Sequence, residues 1–365
     1  MRPQQRRWRA NNSLSTGRLN ICRSGKFVAT STNGLIGASL MRQLDCRRER
    51  WPLARPFAIS SGVYHSVDII VVEIVDGACS GRGEAAGVFF RGENVASMTA
   101  AVEQVRQAIE NGADRAAISA MLPAGGARNA LDCALWALEA HQAGSTVSVL
   151  SGVPSVPLTT VATVSLDSPE AMARQAEGYA AFDLLKIKLD AGRPVECLRA
   201  VRAARPEARL IVDVNAGWSL GELHAHSPAC ADLGVEMIEQ PCAPERDLEI
   251  IQADIAVPLC ADESCSTTAD LDRLAGHFAM INIKLDKAGG LTEAIALARE
   301  AHARGFALMI GNMMGTSLAM APASLIGSMC RYVDLDGPLL LASDREPPMP
   351  IDGAVIPPLV PAIWG

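Results

Sequence analysis

The feature that most constrains the fold is a set of charged residues that close five apolar segments at a nearly constant interval. The five are Lys188, Asp213, Glu239, Asp262 and Lys284, and successive members lie 25, 26, 23 and 22 residues apart. One strand and one helix of a (β/α)₈ barrel occupy about that length of chain. Because the carboxyl ends of barrel strands meet at one mouth, the interval predicts an α/β barrel with these side chains around one site.

The first of these segments, Leu184-Leu185-Lys186-Ile187-Lys188, is typical of a short buried strand. Side chains alternate along a strand, so Lys186 and Lys188 point in the same direction. Two buried ammonium groups are destabilising unless other groups pair with them or use them. This pair alone would indicate an edge strand with solvated lysines, but the charged strand ends that follow favour a functional site.

The remaining sequence predicts a second, smaller domain. Strand-like segments over 51–59, 68–75 and 80–84 precede two helix-like segments, and from Pro157 onward strands and helices alternate. We therefore predict an α+β domain over 41–150 and a barrel over 151–344, whose first strand is 158–164. A proline-rich segment over 345–365 is expected to pack back on the first domain.

Residues 1–40 differ in composition from the rest of the chain. They contain seven Arg and Lys residues, whereas the first acidic residue is Asp45. We expect a non-native or disordered extension, with Met41 as the first residue of the native protein. A transit peptide and a segment that binds an anionic surface are the alternatives.

Composition narrows the functional class. The formal net charge of −7 argues against a general nucleic-acid-binding protein, and no apolar run reaches the roughly 18 residues that span a membrane. The ten cysteines include no Cys-x-x-Cys pair, which is typical of reduced thiols and predicts a cytoplasmic protein.

Three of the strand ends predict a metal site. Asp213, Glu239 and Asp262 end consecutive strands, and three converging carboxylates repel one another unless a cation lies among them. Oxygen ligands without His or Cys select a hard ion, and we predict Mg²⁺. The alternative is that each carboxylate caps a neighbouring helix. Asn215 and Glu263 are candidates for supporting the ligands.

The two outer strand ends predict acid–base chemistry. Lys188 and Lys284 would flank the carboxylates on opposite sides of the barrel, where one could remove a proton and the other return it. That is a 1,1-proton transfer, which racemises or epimerises a carbon centre. A neighbouring ammonium, Lys186, and a divalent cation are expected to lower the pKa of a lysine enough for it to act as a base.

A further acidic pair follows the eighth strand. Asp334 and Asp336 are alternate residues, so their carboxylates face the same way and would suit a substrate ammonium group. The alternative is a pair of surface acids before the Gly337-Pro338 turn.

These motifs together resemble the enolase superfamily, and within it the muconate-lactonising subgroup. The similarity covers about residues 51–365 and is closest to the dipeptide epimerases of the L-Ala-D/L-Glu epimerase type. The motifs that carry it are Lys186-Ile187-Lys188, Asp213-Val214-Asn215, Glu239-Gln240-Pro241, Ala261-Asp262-Glu263-Ser264, 283–290 (Ile-Lys-Leu-Asp-Lys-Ala-Gly-Gly), 122–132 and Asp334-Leu335-Asp336-Gly337-Pro338.

The resemblance implies an α+β capping domain over a modified TIM (β/α)₇β barrel and a Mg²⁺-dependent isomerase. In such an enzyme the α-carbon of the C-terminal residue of a dipeptide is epimerised through a metal-stabilised enolate. The implied roles are metal binding by Asp213, Glu239 and Asp262, acid–base catalysis by Lys188 and Lys284 with Lys186 assisting, binding of the α-ammonium by Asp334 and Asp336, and a substrate contact by Thr163. The resemblance leaves open whether the chain forms a homo-oligomer.

One departure from the family concerns specificity. In L-Ala-D/L-Glu epimerases a capping-domain loop carries an arginine for the glutamate side chain, but the loop here, 60–66, has no arginine and places Tyr64 at about that position. We therefore expect a preferred dipeptide other than Ala-Glu, with Tyr64 in contact with substrate. Arg91, on another loop, is the candidate substitute for the missing charge.

Other activities of the subgroup could use the same lysines and metal, namely cycloisomerase, o-succinylbenzoate synthase and N-acylamino-acid racemase. Asp334 and Asp336 favour the dipeptide, because N-acylated and purely acidic substrates have no free ammonium group. A non-catalytic binding barrel is the remaining alternative, and the complete set of charged strand ends argues against it.

Overall fold

The structure is a computed structural model that describes residues 42–60 and 62–365. The predicted extension over 1–40 and the predicted first residue, Met41, lie outside the described residues. Within the described ranges, no helix is both long enough and apolar enough to cross a bilayer.

The described chain begins with a three-stranded antiparallel sheet in the order β1–β2–β3, followed by helices that pack on it. A tight turn joins β2 to β3, where Gly77 adopts a φ of 63° that glycine tolerates without strain. We call these elements the capping domain: β1 (Gln43–Ile59), β2 (Gly62–Asp76), β3 (Cys79–Ala85), α1 (Val95–Glu110), α2 (Arg115–Met121), α3 (Gly126–Ala143) and α4 (Val147–Ser151).

Strand β2 contributes to two hydrophobic cores because its side chains alternate between the faces of the sheet. Ile70 and Val72 pack with apolar residues of α1, α2 and α3. Ile69 and Val71 belong instead to the cluster that contains the core of the barrel. The capping domain is therefore joined to the barrel by a continuous apolar contact.

Helix α3 lies directly on β3 because two glycines remove side chains from the contact. A Cβ atom added at Gly81 would overlap the carbonyl oxygen of Ala134, and one added at Gly83 would overlap that of Ala130. The close approach buries Leu131 completely within the capping domain.

The second part of the chain is an eight-stranded parallel sheet that curls into a barrel. Its strands follow the chain, and the N–H of Val161 donates to the carbonyl of Val333 at 2.9 Å, which joins the first strand to the last. The strands are β5 (Ala162–Val164), β6 (Leu184–Lys188), β7 (Arg209–Asp213), β8 (Val235–Glu239), β9 (Leu259–Ala261), β10 (Met280–Ile283), β11 (Ala307–Ile310) and β12 (Tyr332–Val333).

The barrel interior is filled by an apolar layer that lies two residues before the site residues along each strand. Leu184 precedes Lys186 in this way, and Ile211 precedes Asp213. Since strand side chains alternate, this layer and the next polar layer both point inward. The apolar layer consists of Val161, Leu184, Ile211, Met237, Cys260, Met280, Met309 and Tyr332.

Helices surround the barrel and alternate with its strands. The first begins as the sequence indicates, because Ser168 accepts a hydrogen bond from the N–H of Ala171 and Pro169 occupies the first helical position. The helices are α5 (Pro169–Gly178), α6 (Pro194–Ala204), α7 (Leu220–Asp232), α8 (Leu271–Leu274), α9 (Leu285–Ala288), α10 (Leu291–Ala303), α11 (Ser317–Gly327) and α12 (Gly337–Leu340).

The architecture confirms the predicted α/β barrel with an α+β capping domain, but one strand differs. The prediction of a single barrel strand over 158–164 is wrong, because β4 (Leu158–Thr159) pairs with the C-terminal strand β13 (Val355–Ile356) instead. The same C-terminal segment reaches the capping domain, where the indole N–H of Trp364 donates to the carbonyl of Arg82 at 2.9 Å.

We predict that Gly83→Ala destabilises the protein by about 3 kcal/mol, because the new methyl group overlaps backbone that cannot rotate away. The measurement is the free energy of unfolding in urea. The control is Gly178→Ala at the end of α5, where nothing lies within 4 Å of an added Cβ. Equal stability of the two variants would contradict the close approach of α3 and β3.

Candidate active site

The charged strand ends predicted from the sequence meet at the mouth of the barrel. Lys188 pairs in register with Asp213 across β6 and β7, and Asp213 pairs with Glu239 across β7 and β8. Asp262 and Lys284 directly follow β9 and β10. All five side chains are buried, so the parallel register of the sheet brings them to one place.

Lysine ammonium groups and carboxylates form one network there. The Nζ of Lys186 lies 2.9 Å from Asp213, 2.8 Å from Glu239 and 2.8 Å from Asp334. The Nζ of Lys188 lies 2.6 Å from Asp213, which is therefore shared between the two lysines. Both of these lysines therefore have carboxylate partners, as the burial of a charge requires.

On the far side of the mouth, Lys284 lies 2.6 Å from Asp262. Strands β7, β8 and β9 separate it from Lys188 in the sheet. The structure thus brings the two lysines to opposite sides of the three carboxylates, as the sequence predicts.

Carboxylates dominate the electrostatics of the lysines. Burial alone would lower the pKa of Lys186, but Asp213 and its neighbours raise it well above its usual range. The pKa of Lys284 is also raised, because Asp262 outweighs the effect of burial. Each of these two lysines contacts a carboxylate directly, and the lowering of a lysine pKa that the sequence analysis expects from a neighbouring ammonium and a divalent cation stays a prediction.

The pKa values of the three carboxylates are shifted in two different directions. Burial raises the pKa of Glu239 to about 8, and repulsion from Asp213 adds to it. Burial also acts to raise the pKa values of Asp213 and Asp262, but nearby lysines outweigh it. Lys186 lowers the pKa of Asp213, and Lys284 lowers the pKa of Asp262, well below the usual range. Both aspartates are therefore anions, whereas the charge of Glu239 depends on what lies beside it.

The residues present fit a hard divalent cation. Among the described residues, no three carboxylate, imidazole or thiol groups already stand together as a metal cluster, since Lys186 lies between Asp213 and Glu239. Lysine Nζ atoms contact buried oxygens of Glu239 and Asp262 at 2.8 and 2.7 Å, whereas a buried oxygen of Glu263 has no hydrogen-bond partner within the described ranges. A buried set of donors made only of carboxylate oxygens, which already attracts cationic groups, is suited to Mg²⁺.

The net charge of the cluster also favours the binding of a cation. Four lysines face six carboxylates, so the carboxylates are in excess within the described residues. The members are Lys186, Lys188, Lys284, Lys287, Asp213, Glu239, Asp262, Glu263, Asp334 and Asp336.

Amide side chains orient the carboxylates. The Nδ2 of Asn282 donates to Glu239 at 2.7 Å, and the Oε1 of Gln240 accepts from the N–H of Asp262 at 2.9 Å. Asn215, a sequence candidate, accepts from Lys188 at 3.0 Å and donates to Glu263 at 3.3 Å. Sequence reasoning missed Asn282, although it alternates with Lys284 on β10 and so points inward as well.

Lys287 is a second residue to which the sequence analysis assigned no role. It lies in α9, it is 1% exposed, and its Nζ is 2.7 Å from Asp262. The same Nζ donates to the carbonyls of Asp262, Cys265 and Asn282. Lys287 therefore fixes the loop that carries Asp262, whereas Lys284 lines the cavity above it.

The Asp pair after β12 is buried at the same mouth, so the alternative of two surface acids is wrong. Asp334 contacts Lys186, and Asp336 accepts the backbone N–H of Thr163 at 2.8 Å. Burial and the charge of Asp334 raise the pKa of Asp336 to about 7. The pair is therefore an acidic site that a ligand ammonium group would stabilise.

A cavity of about 680 Å³ opens from the network toward the capping domain. Tyr64 and Phe89 line it and pack edge to face with their ring centroids 5.9 Å apart. The side chains of Phe57, Ile59 and Met313 contribute apolar surface to the wall of this cavity.

Arg91 is not among the described residues that line this cavity. Its guanidinium donates to the hydroxyl of Ser266 at 2.6 Å instead. Arg91 therefore does not replace the charge that is missing at Tyr64.

The chain is similar to proteins of one group over most of its described length. Residues 41–152 match the mandelate racemase/muconate lactonizing enzyme N-terminal domain, and residues 170–361 match the enolase C-terminal domain-like family. The chain is 43% identical over 311 residues to the L-Ala-D/L-Glu epimerase of Escherichia coli, covering 84% of this chain and 97% of that protein.

The chain is also similar to solved structures of proteins from this group. One is an enolase family member from Agrobacterium tumefaciens with homology to dipeptide epimerases, bound to sodium and L-Ala-L-Glu. It has a TM-score of 0.87 and 41% identity over 89% of this chain and 100% of that chain. A dipeptide epimerase from Enterococcus faecalis complexed with Mg and L-Leu-L-Tyr has a TM-score of 0.82 and 27% identity over 88% and 98%.

We predict that Lys287→Met lowers the free energy of unfolding by about 3–5 kcal/mol, because it leaves the carboxylate of Asp262 buried without one of its cations. Chemical denaturation measures the effect. Arg299→Met on the exposed side of α10 is the control and should change stability by about 0.5 kcal/mol or less. A fully stable Lys287→Met variant would show that Lys287 does not support the Asp262 loop.

Proposed function

Because this chain belongs to the mandelate racemase/muconate lactonizing enzyme family of the enolase superfamily, we propose that it is a Mg²⁺-dependent dipeptide epimerase. Membership confirms the resemblance drawn from the motifs. The observation that carries the proposal is a single barrel mouth where Lys188 and Lys284 flank three carboxylates and the acidic pair Asp334 and Asp336 adjoins them. Relatives that are named dipeptide epimerases, one of them with Mg and a dipeptide bound, support it.

In this mechanism Lys188 and Lys284 act on opposite faces of the α-carbon of the C-terminal residue. One removes the α-proton, and the electron pair moves onto the carboxylate oxygens of the substrate. Lys186, between the carboxylates and the acidic pair, donates a hydrogen bond to the negative charge that develops. The other lysine then delivers a proton to the opposite face, which inverts the configuration.

Asp213, Glu239 and Asp262 are the residues that would hold the metal. When bound, Mg²⁺ supplies positive charge that makes the α-proton more acidic and stabilises the enolate. Asn282 orients the carboxylate of Glu239, and Gln240 fixes the backbone of Asp262, through the hydrogen bonds described above.

The acidic pair distinguishes this activity from the others of the subgroup. Asp334 and Asp336 would bind the free α-ammonium of the dipeptide, with Thr163 holding Asp336 through its backbone N–H. An N-acylated amino acid has no such ammonium group, so the buried carboxylate of Asp336, which unlike Asp334 makes no ion pair within the described residues, would gain no cation from it. The geometry therefore favours a dipeptide over the substrates of an N-acylamino-acid racemase.

We also keep two predictions from the sequence as part of this proposal. The division into an α+β domain over 41–150 and a barrel over 151–344 agrees with where the strand pattern changes from antiparallel to parallel. The scattered cysteine pattern supports a cytoplasmic location.

The reaction is tested with pooled L,L-dipeptides, Mg²⁺ and the purified protein in D₂O. We predict a gain of one deuterium in the accepted dipeptides, measured by mass spectrometry, and its loss when a chelator removes the metal. Lys188→Met and Lys284→Met should each slow epimerisation by about 10³-fold. Because each variant keeps one lysine, each should still exchange the α-proton of one epimer, and the two variants should retain opposite epimers.

Arg299→Met is the charge-matched control and should retain full epimerisation. If folded wild-type protein with Mg²⁺ exchanged no dipeptide, the proposed function would be wrong. N-acylamino acids and cycloisomerase substrates would then be assayed.

Specificity for the C-terminal side chain is predicted to depend on Tyr64. Its aromatic contact with Phe89 and the apolar wall beside it favour an uncharged side chain. Tyr64→Arg should therefore raise kcat/KM for L-Ala-L-Glu about tenfold relative to L-Ala-L-Leu, because it places a cation beside the glutamate. Tyr64→Phe, the control, should leave the ratio unchanged. A wild-type preference for L-Ala-L-Glu would contradict this assignment and direct attention to Arg48, which lies on β1 and lines the same cavity.

A further inference from the structure

A second cavity of about 710 Å³ adjoins the first one. It lies between β1, the loop after β5, α5 and α12, so both the capping domain and the barrel form its walls. Phe57, Thr163 and Leu340 line both cavities. These three residues therefore form the junction between the two cavities, with Thr163 beside the acidic pair.

The second cavity carries two arginines that other residues do not neutralise. Arg55 from β1 and Arg174 from α5 line it, and neither is hydrogen-bonded or ion-paired to another residue in the described part of the chain. Asp167 is the one carboxylate among the described lining residues, and it accepts the backbone N–H of Ser168 at 2.7 Å. The lining therefore has a net positive charge, which attracts an anion.

The remaining walls resemble a pocket for an amino-acid side chain. Pro56, Val63 and Leu166 supply apolar surface. The amide of Gln175 is fixed by Ser165, whose backbone N–H donates to it at 3.0 Å. Pockets for small molecules typically combine apolar walls with a few polar groups in this way.

The acidic pair and the arginines lie on opposite sides of this junction, since the former line the first cavity and the latter line the second. Asp336 accepts the N–H of Thr163, which stands at the junction of the cavities. Tyr179 lines the second cavity, and its pKa is raised by burial and by the charge of Asp336, whereas Arg55 acts to lower it. The phenol of Tyr179 therefore lies within electrostatic range of both Asp336 and Arg55.

We propose that the second cavity binds the side chain of the substrate's N-terminal residue and that Arg55 and Arg174 select an acidic side chain there. This inference rests on the proposed dipeptide epimerase activity and names its substrate class: dipeptides that begin with Asp or Glu. The α-ammonium of such a residue contacts Asp334 and Asp336, and its side-chain carboxylate reaches the guanidinium groups. Each charge of the residue then has a partner of opposite sign.

The test compares dipeptides that differ only at the N-terminal residue. L-Glu, L-Gln, L-Ala and L-Lys are placed before the C-terminal residue that the pooled assay selects. We expect kcat/KM to be about tenfold higher for L-Glu than for the isosteric L-Gln and lowest for L-Lys. Because both arginines are exposed, the preference should shrink as NaCl is raised from about 0.05 to 0.5 M, where charges are screened.

Substitution of the two arginines tests whether they cause the preference for the L-Glu dipeptide. Arg55→Met/Arg174→Met should lower kcat/KM for the L-Glu dipeptide to that of the L-Gln dipeptide and leave the L-Gln and L-Ala values unchanged. Arg199→Met, an exposed arginine on the neighbouring helix α6, removes a charge without touching the cavity and should leave the preference intact. The comparison between substrates is internal to each variant, so a general loss of stability cannot imitate the result.

Two outcomes would overturn the inference. Equal kcat/KM for L-Glu and L-Gln in the wild type, or an equal loss for both in the double variant, would show that the arginines are only solvated surface. In either case turnover of the L-Ala dipeptide would leave the proposed function standing. Absence of turnover with every dipeptide would overturn both.

Discussion

The interaction on which the site depends is the pairing of buried lysines with buried carboxylates. The chain has five lysines, and the four within the described residues, Lys186, Lys188, Lys284 and Lys287, all belong to this one network. Its other cationic residues are arginines. A lysine ammonium is a compact charge that can release its proton, whereas a guanidinium cannot. The chain thus concentrates the one kind of cation that can exchange a proton at the mouth of its barrel.

The layers of the barrel explain how so much charge is tolerated. Along each strand an apolar side chain points into the barrel and the inward-pointing residue two positions later belongs to the polar layer, as Leu184 and Lys186 illustrate. The apolar layer excludes water from below, so the charges above it must neutralise one another or hold a cation. Gly311 completes the polar layer on β11, where a Cβ would come within 3.0 Å of the Cε of Lys284. A small residue there leaves room for the lysine to move.

The sequence predicts this layer well because one period governs it. The interval of about one strand and one helix identified the charged strand ends, and alternation placed Lys186 beside Lys188. The repeating interval of one strand and one helix does not reveal contacts between distant segments. The C-terminal strand pairs with β4, about two hundred residues away along the chain, and so shortens the first barrel strand. The burial of Lys287 depends on carbonyls of two other segments, the loop after β9 and strand β10. The lysine pKa values also required distances, since the carboxylates that attract a metal also raise them.

The residue proposed to set specificity for the substrate side chain, Tyr64, belongs to the capping domain and not to the barrel. Strand β2 shares its apolar side chains between the two cores, so the start of β2, which carries Tyr64, and the segment that follows β3 are held firmly over the mouth. Asp286, two residues after Lys284, accepts the N–H of Gly87 at 2.7 Å and fixes the segment before Phe89 to the same helix that follows the lysine. Side chains above the mouth can therefore change while the backbone that presents them stays in place. We propose that Tyr64 sets which side chain fits; because it lies outside the network of lysines and carboxylates, a change at this position would alter specificity without altering the groups that transfer the proton.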